Sequence, residues 1–385
     1  MLPSIWEHFL TYQLTRHQAA KQQSIGFGVL LLAFLLAGCS VPQDVQQAKA
    51  TDTVVYIQLA SDTPVLPSET PLAKVTRLPP DKFNNELLRD GLSLQSYIQD
   101  ECDYLALRWE PNNASPGTIV APIMFHSIRP DGEELADPSF IHLGTFKRIV
   151  EYAKFLGFET ITSEELIGFL YENKAIPPLS MLLILDDRKP GTAEDYFLPY
   201  LREYDWTATL AWLVGDSREW LWEWIENLNE SGYFDIQSHG YQHIYLTEET
   251  NYEDTFEEIS GNIPAFEERF GQRPIAYIWP GGNYTKIGIE IARELDYQIG
   301  FTVHSRGAIQ FNSIPQGEQE IAFADPLMTL PRFWSSAALL NLDQALQSSQ
   351  AAKDFAIQNY ELEAEWYQAN CGGVLAPLAD IIASE

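Results

Sequence analysis

Two adjacent carboxylates, Asp186 and Asp187, close the apolar run Met181-Leu182-Leu183-Ile184-Leu185. A charged pair at the end of a buried strand is costly unless something uses its charge. Ligand sites in parallel sheets lie beyond the carboxyl ends of the strands. Capping of the next helix, or a turn, would also account for the pair. A second apolar segment ends in Asp235-Ile236-Gln237-Ser238-His239-Gly240-Tyr241-Gln242-His243. His239 and His243 are four apart, so on one helical turn they would face the same way. That spacing suits two imidazoles on one metal, although such a pair also arises without one. Asp187 could complete a two-histidine, one-carboxylate ligand set with open positions for water and substrate. Asp186 would then be free to act as a base.

These side chains need a frame that brings distant segments together. Apolar runs at 119–125, 181–186, 207–213, 233–238, 275–279 and 299–303 are strand candidates. Amphipathic stretches near 143–156, 163–171, 193–204, 218–231, 252–270 and 285–296 alternate with them as helix candidates. Short apolar strands alternating with helices imply an α/β fold with a parallel sheet, open or closed into a barrel. The stretch 337–369 reads as a terminal helix, with a break within it allowed. The expected organisation is a leader at 1–38, a Gln-, Thr-, Pro- and Asp-rich tether at 39–80, an N-terminal extension at 81–117, a main domain at 118–335 and a helical extension at 336–385.

The formal net charge is −30. Phosphates would be repelled, which excludes nucleic acid as a partner and disfavours a basic docking patch on an anionic bilayer. At the N-terminus, Arg16, His17 and Lys21 precede an apolar run from Ile25 to Ala37. The run is short for a membrane span and suits a signal segment. It ends in Leu36-Ala37-Gly38-Cys39, which resembles the lipobox of bacterial lipoproteins. That resemblance implies removal of residues 1–38, acylation of Cys39 and a place in the cell envelope, outside the cytoplasm and anchored to a membrane. An uncleaved anchor is the alternative. Apart from Cys39 the chain has Cys102 and Cys371. Outside the cytoplasm a leftover pair is expected to form one disulfide, with two buried thiols as the other reading.

The ordered set of motifs is more specific than any one of them. Leu185-Asp186-Asp187, then Ser238-His239-x-x-x-His243, then Trp279-Pro280-Gly281-Gly282-Asn283-Tyr284 resembles polysaccharide deacetylases, the NodB-like carbohydrate esterase family 4. Trp206-Thr207-Ala208-Thr209-Leu210 and Gly232-Tyr233-Phe234-Asp235-Ile236 agree with the flanking strands of that family, and Pro122-Ile123-Met124-Phe125-His126 resembles the opening of its circularly permuted poly-N-acetylglucosamine deacetylase branch. The likeness spans roughly residues 118–305, with Arg332 as an outer limit.

The resemblance implies a distorted (β/α) barrel and hydrolysis of acetyl groups on an N-acetylated polysaccharide. Asp187, His239 and His243 would hold one divalent ion, usually zinc. Asp186 would be the base, His126 the acid, and the Gly281 N–H after Pro280 the oxyanion donor. His304, after Phe301-Thr302-Val303, is the competing acid. Arg188 stands where the family has a glycine. Turned inward it would lower the pKa of Asp186 and weaken it as a base. It could instead face solvent or bind substrate. Gly281 stands where the family often has a tyrosine.

Trp212, Trp220, Trp222, Trp224 and Trp279 are aromatic faces for sugar stacking or core packing. Packing is favoured for Trp212 and Trp222, and Trp279, beside the site, is expected to help bind substrate. His142 reads as structural. Two other functions fit the same sequence: a silent glycan-binding member of the fold, and an envelope assembly or interaction lipoprotein.

Overall fold

The two most apolar runs become neighbouring strands. β1 (Ile119–Phe125) and β2 (Leu179–Asp186) pair in parallel from Ile119↔Leu179 to Phe125↔Leu185. Every residue of β1 is buried, as is all of β2 after Leu179. Strands covered on both faces read as continuous apolar runs, which is why these two stand out in the sequence. β3 (Ala208–Trp212), β4 (Phe234–Ser238), β5 (Ala276–Ile278) and β6 (Ile299–Phe301) follow, each parallel to the one before. The computed structural model describes residues 78–382. The leader, Cys39 and the tether as far as residue 77 lie outside the described residues.

The sheet curls back on itself. Leu330 bridges in parallel to Phe301 of β6, and β7 (Phe333–Trp334) pairs with β1 at Ile123 and Met124. The short stretch 330–334 therefore touches both edges of the sheet. Ile309–Gln310 runs antiparallel along the start of β1.

Side-chain alternation divides the core into two layers. Val120, Leu182, Ile184, Ala211, Ala276, Ile278, Ile299, Phe301 and Leu330 fill the inside of the curl. Ile119, Ala121, Ile123, Phe125, Leu183, Leu185, Leu210 and Ile236 point outward against helices. Among the described residues, the α-helices of seven or more residues are α1 (Glu101–Arg108), α2 (Leu143–Leu156), α3 (Ser163–Glu172), α4 (Leu198–Tyr204), α5 (Glu219–Glu230), α6 (Tyr252–Ser260), α7 (Ile263–Phe270), α8 (Lys286–Glu294) and α9 (Ala338–Asn370). The α3 terminus is set by a capping box, with Thr162 accepting from the Glu165 N–H and Glu165 accepting in return.

The expectation for 252–270 is corrected, whereas the expected terminal helix is present. The stretch 252–270 is two helices, because Gly261 and Asn262 intervene and Pro264 lacks an N–H to continue the first ladder. The C-terminal stretch is one unbroken helix of 33 residues.

The two ends of the described chain are clasped. Cys102 on α1 is disulfide-bonded to Cys371 just after α9, with Cα atoms 5.6 Å apart. Beside the bridge, Trp109 Nε1 donates to Glu363 at 2.6 Å, Arg108 lies 3.5 Å from the same carboxylate, and Tyr360 packs edge-on against Trp109. The bridge spans 269 residues, for which the chain-entropy model gives on the order of 5 kcal/mol before strain and residual structure reduce it. In protein lacking Cys39, native alkylation under non-reducing conditions should therefore modify no thiol. Two labelled cysteines in the intact mass would refute the bridge.

Candidate active site

The alternation that builds the core also delivers the site. On β2 the inward row is Leu182, Ile184 and Asp186, so the last inward position is a carboxylate. On β1 the same row ends one residue past the strand, at His126. Because Phe125 pairs with Leu185, His126 and Asp186 come out side by side, with His126 Nε2 3.7 Å from Asp186 Oδ2. On the closing stretch the inward row runs Leu330, Arg332, Trp334. Arg332 is fully buried, and its Nη1 donates to Asp186 Oδ1 at 2.6 Å while Nε donates to the Thr302 carbonyl at 2.8 Å. The Trp334 ring lies nearly parallel to His126, with centroids 6.2 Å and planes 10° apart.

Neither Arg332 nor Trp334 was assigned a role from the sequence. Both occupy the stretch Pro-Arg-Phe-Trp, which carries no strand-length apolar pattern. A fixed charge within such a short buried segment was the only available signal.

Asp187 turns away from Asp186. Its φ of 69° lies in the left-handed region, unfavourable for a non-glycine residue by roughly 1–2 kcal/mol. That turn lets two adjacent carboxylates serve different partners. Asp187 Oδ1 is 3.8 Å from His239 Nε2 and 3.6 Å from His243 Nε2. One donor atom from each of the three residues lies within 4.8 Å of the others.

His239 and His243 are brought together by a loop rather than by the expected helical turn. Ser238 ends β4, Gly240 has φ 89° and His243 has φ 66°, and the two rings meet edge to face at 4.9 Å. The four-residue spacing was informative, while its helical interpretation was not.

The donor set fits a divalent ion. The separations are too long for hydrogen bonds. They approach the ~3.4 Å expected between tetrahedral ligands that each sit ~2.1 Å from zinc. His239 Nδ1 lies 2.7 Å from the Ile278 carbonyl, which can only accept, so Nδ1 carries the proton and the Nε2 lone pair faces the cluster. Burial pushes the His239 pKa down to about 4 against the pull of Asp186, so the ring is neutral. Burial lowers His243 as well, opposed by Asp187 and Asp186.

Asp186 has the opposite balance. Burial raises its pKa, but Arg332, together with His239 and His126, outweighs burial and holds the carboxyl below its usual value. Arg188 is not the source of this effect. It is half-buried and donates to the Gly215 carbonyl, so it neither points at Asp186 nor reaches into solvent as a free cation.

The Pro280–Gly282 turn lies just past β5. The Gly282 N–H returns to the Trp279 carbonyl at 2.8 Å, which leaves Gly281 as the N–H available at this turn among the described residues. Gly281 has φ 61°, and a Cβ there would meet the Tyr245 ring at 2.9 Å. Tyr245 in turn packs edge-on against His243 at 5.3 Å and is half exposed. Tyr245 thus supplies an aromatic wall next to Gly281, from a residue that sequence reasoning did not select.

Trp279 is a correction. β5 sends Ala276 and Ile278 inward and Tyr277 outward, so Trp279 also points outward. It is fully buried, packs on Tyr277 and Tyr284, and its Nε1 donates to the Met328 carbonyl at 2.8 Å. No face remains for a sugar ring. Pro280 is buried too, so only the neighbouring Gly281 can offer a backbone contact to substrate. Trp212 and Trp222 are core residues, whereas Trp220 is exposed and Trp224 is held by Glu194 at 2.9 Å.

His304 lies on the outward side as well. Its charged neighbours are Arg306, Glu320 and Arg89, away from the Asp187 cluster, and burial lowers its pKa. His142 occupies the N-cap position of α2 without a side-chain cap bond, and its Nε2 bonds the Glu133 carbonyl at 2.9 Å.

Residues 174–300 match the family model of polysaccharide deacetylases. This segment belongs to that family. No curated protein matches the chain. Among solved structures, the deacetylase PplD from Streptococcus pyogenes, in complex with acetate, is 20% identical, with 60% of this chain and 99% of that chain covered and a TM-score of 0.49. A polysaccharide deacetylase from Bacillus cereus is 20% identical over 59% of this chain and 69% of its own, at a TM-score of 0.46. IcaB from Ammonifex degensii is 16% identical over 62% and 98%, at 0.47. The family segment covers β2 to β6 and therefore holds Asp186, Asp187, His239, His243 and Gly281. His126, Arg332 and Trp334 lie outside it.

Proposed function

We propose that this protein is a metal-dependent N-deacetylase of an N-acetylated polysaccharide in a bacterial cell envelope, tethered to the membrane through Cys39. The observation that carries the reading is the convergence of Asp187, His239 and His243 beside a second pair, Asp186 and His126. The family match at 174–300 supports the acetylated-glycan substrate class. The leader pattern before Cys39 supports the location.

A divalent ion held by Asp187, His239 and His243 would polarise the acetamide carbonyl and acidify the attacking water. Asp186, kept ionised by Arg332, takes a proton from that water as its oxygen bonds to the acyl carbon. The Gly281 N–H donates to the oxygen that becomes negative. His126 delivers a proton to the nitrogen as the C–N bond breaks, so acetate and a free amine leave. Trp334, stacked beside His126, limits the ring's orientation.

The test is acetate release from a panel of acetylated glycans, with and without chelator, followed by restoration with zinc. His243→Ala should remove most metal affinity, and Asp186→Asn should retain the metal while losing ~10²-fold or more in turnover. Chelator-resistant acetate release, or no metal uptake at micromolar zinc by the intact protein, overturns the proposal.

A further inference from the structure

We propose that Glu258 is a positioning residue for the proposed metal site, holding the loop that presents His243. The inference rests on the ligand reading of Asp187, His239 and His243.

Glu258 lies in α6 and is fully buried. Its Oε2 accepts from the Gln242 N–H at 2.8 Å, and the N–H groups of His243 and Ile244 also face its carboxylate. Its backbone carbonyl accepts the Tyr241 N–H at 2.9 Å. One helical residue thus gathers four successive N–H groups, those of residues 241–244, and the third belongs to a proposed ligand.

The loop packs closely on Glu258. Gly240 has φ 89°, and a Cβ there would collide with Glu258 Oε1. His243 itself has φ 66°, a conformation an unrestrained loop would leave. With its backbone pinned, His243 keeps Nε2 directed at Asp187.

A stability role alone accounts poorly for this residue. Its Oε1 is buried without a hydrogen bond. No lysine or arginine pairs with the carboxylate among the described residues. It also sits near the C-terminal end of α6, where the helix dipole disfavours negative charge. Each condition is costly for a buried carboxylate. Together they are tolerated where a fixed loop is required, as in the outer shells that orient metal ligands.

The experiment measures zinc affinity by competition with a chromophoric chelator, on wild type, Glu258→Gln and a core control, Ile259→Val. Glutamine keeps the size and one acceptor oxygen for the Gln242 N–H, but it removes the negative charge and the second acceptor that the neighbouring loop N–H groups face. Glu258→Gln should weaken zinc binding about 10–100-fold, the usual range for outer-shell changes, and recover most turnover at saturating zinc. Ile259→Val, one residue away and fully buried, should reduce stability without changing zinc affinity. Unchanged affinity in Glu258→Gln overturns the positioning role but leaves the metal site standing. A wild type that binds no zinc overturns the metal reading instead. If Glu258→Gln does not fold, hydrogen exchange on the metal-free wild type decides: protected Gln242 and His243 amides support the role, and exchange at free-peptide rates rejects it.

Discussion

Replacing His126 with alanine should cut kcat by ~10²–10⁴-fold, the range for loss of a general acid, with metal content unchanged. An amine is a poor leaving group unless its nitrogen is protonated as it departs. In the proposed function Asp186 and the ligand cluster serve the water side of the acyl carbon, so a separate group must serve the nitrogen. His126 has the position for it: Nε2 stands 3.7 Å from Asp186 Oδ2, its side chain retains 22% exposure, and the Trp334 ring lies nearly parallel to it. His304→Ala is the control and should have little effect, because His304 faces Arg306 and Glu320 instead. The comparison is made at saturating substrate, with zinc content measured on the same samples. Equal losses in the two variants, or a larger one in His304→Ala, would reverse the assignment.

The contrast between these two histidines shows what can be read before a structure exists. Both follow apolar runs, so both are strand-end candidates. Their separation depends on side-chain parity, which strands buried on both faces, such as β1 and β6, do not show as alternation in the sequence. The same limit explains Trp279. Its place next to Pro280 and Gly281 suggested a sugar contact, whereas alternation from Ala276 and Ile278 directs it under the helices.

Strand and helix positions followed well from periodicity, because burial on both sheet faces leaves continuous apolar runs. Asp186, Asp187, His239 and His243 were found because charged and imidazole groups are conspicuous at the ends of such runs. Arg332 was not, because its partner is 146 residues away and meets it only when the sheet closes on itself. Tyr245 and Glu258 act through a loop conformation set by positive φ at Gly240 and His243, and no spacing rule encodes that. The helical-turn interpretation of the histidine pair failed for the same reason, since local pattern gives the interval but tertiary contacts choose the backbone.

Arg332→Met should be the most damaging single change to both stability and pH dependence. In the wild type, burial raises the Asp186 pKa, but Arg332 and the nearby histidines bring it below the ordinary value. A depressed carboxylate contributes stability above its unfolded pKa, and that contribution is lost as pH falls through the folded pKa. Methionine removes the closest cation and leaves a buried carboxylate with only the weaker influence of His239 and His126 to oppose burial. Burial then dominates, the pKa rises, and the sign reverses: the protonated form is favoured, and stability declines as pH climbs. Breaking a buried pair costs about 3–5 kcal/mol at neutral pH, with a smaller deficit at pH 5, where Asp186 can accept a proton. A protonated Asp186 cannot serve as a base, so turnover at neutral pH should fall and recover on the alkaline side. Urea denaturation at the two pH values and a pH profile of kcat/KM check both parts. Asp186→Asn combined with Arg332→Met should regain much of the lost stability without activity, because no carboxylate then needs the missing cation. A variant with wild-type stability and an unshifted profile would show that Arg332 does not set the charge of Asp186.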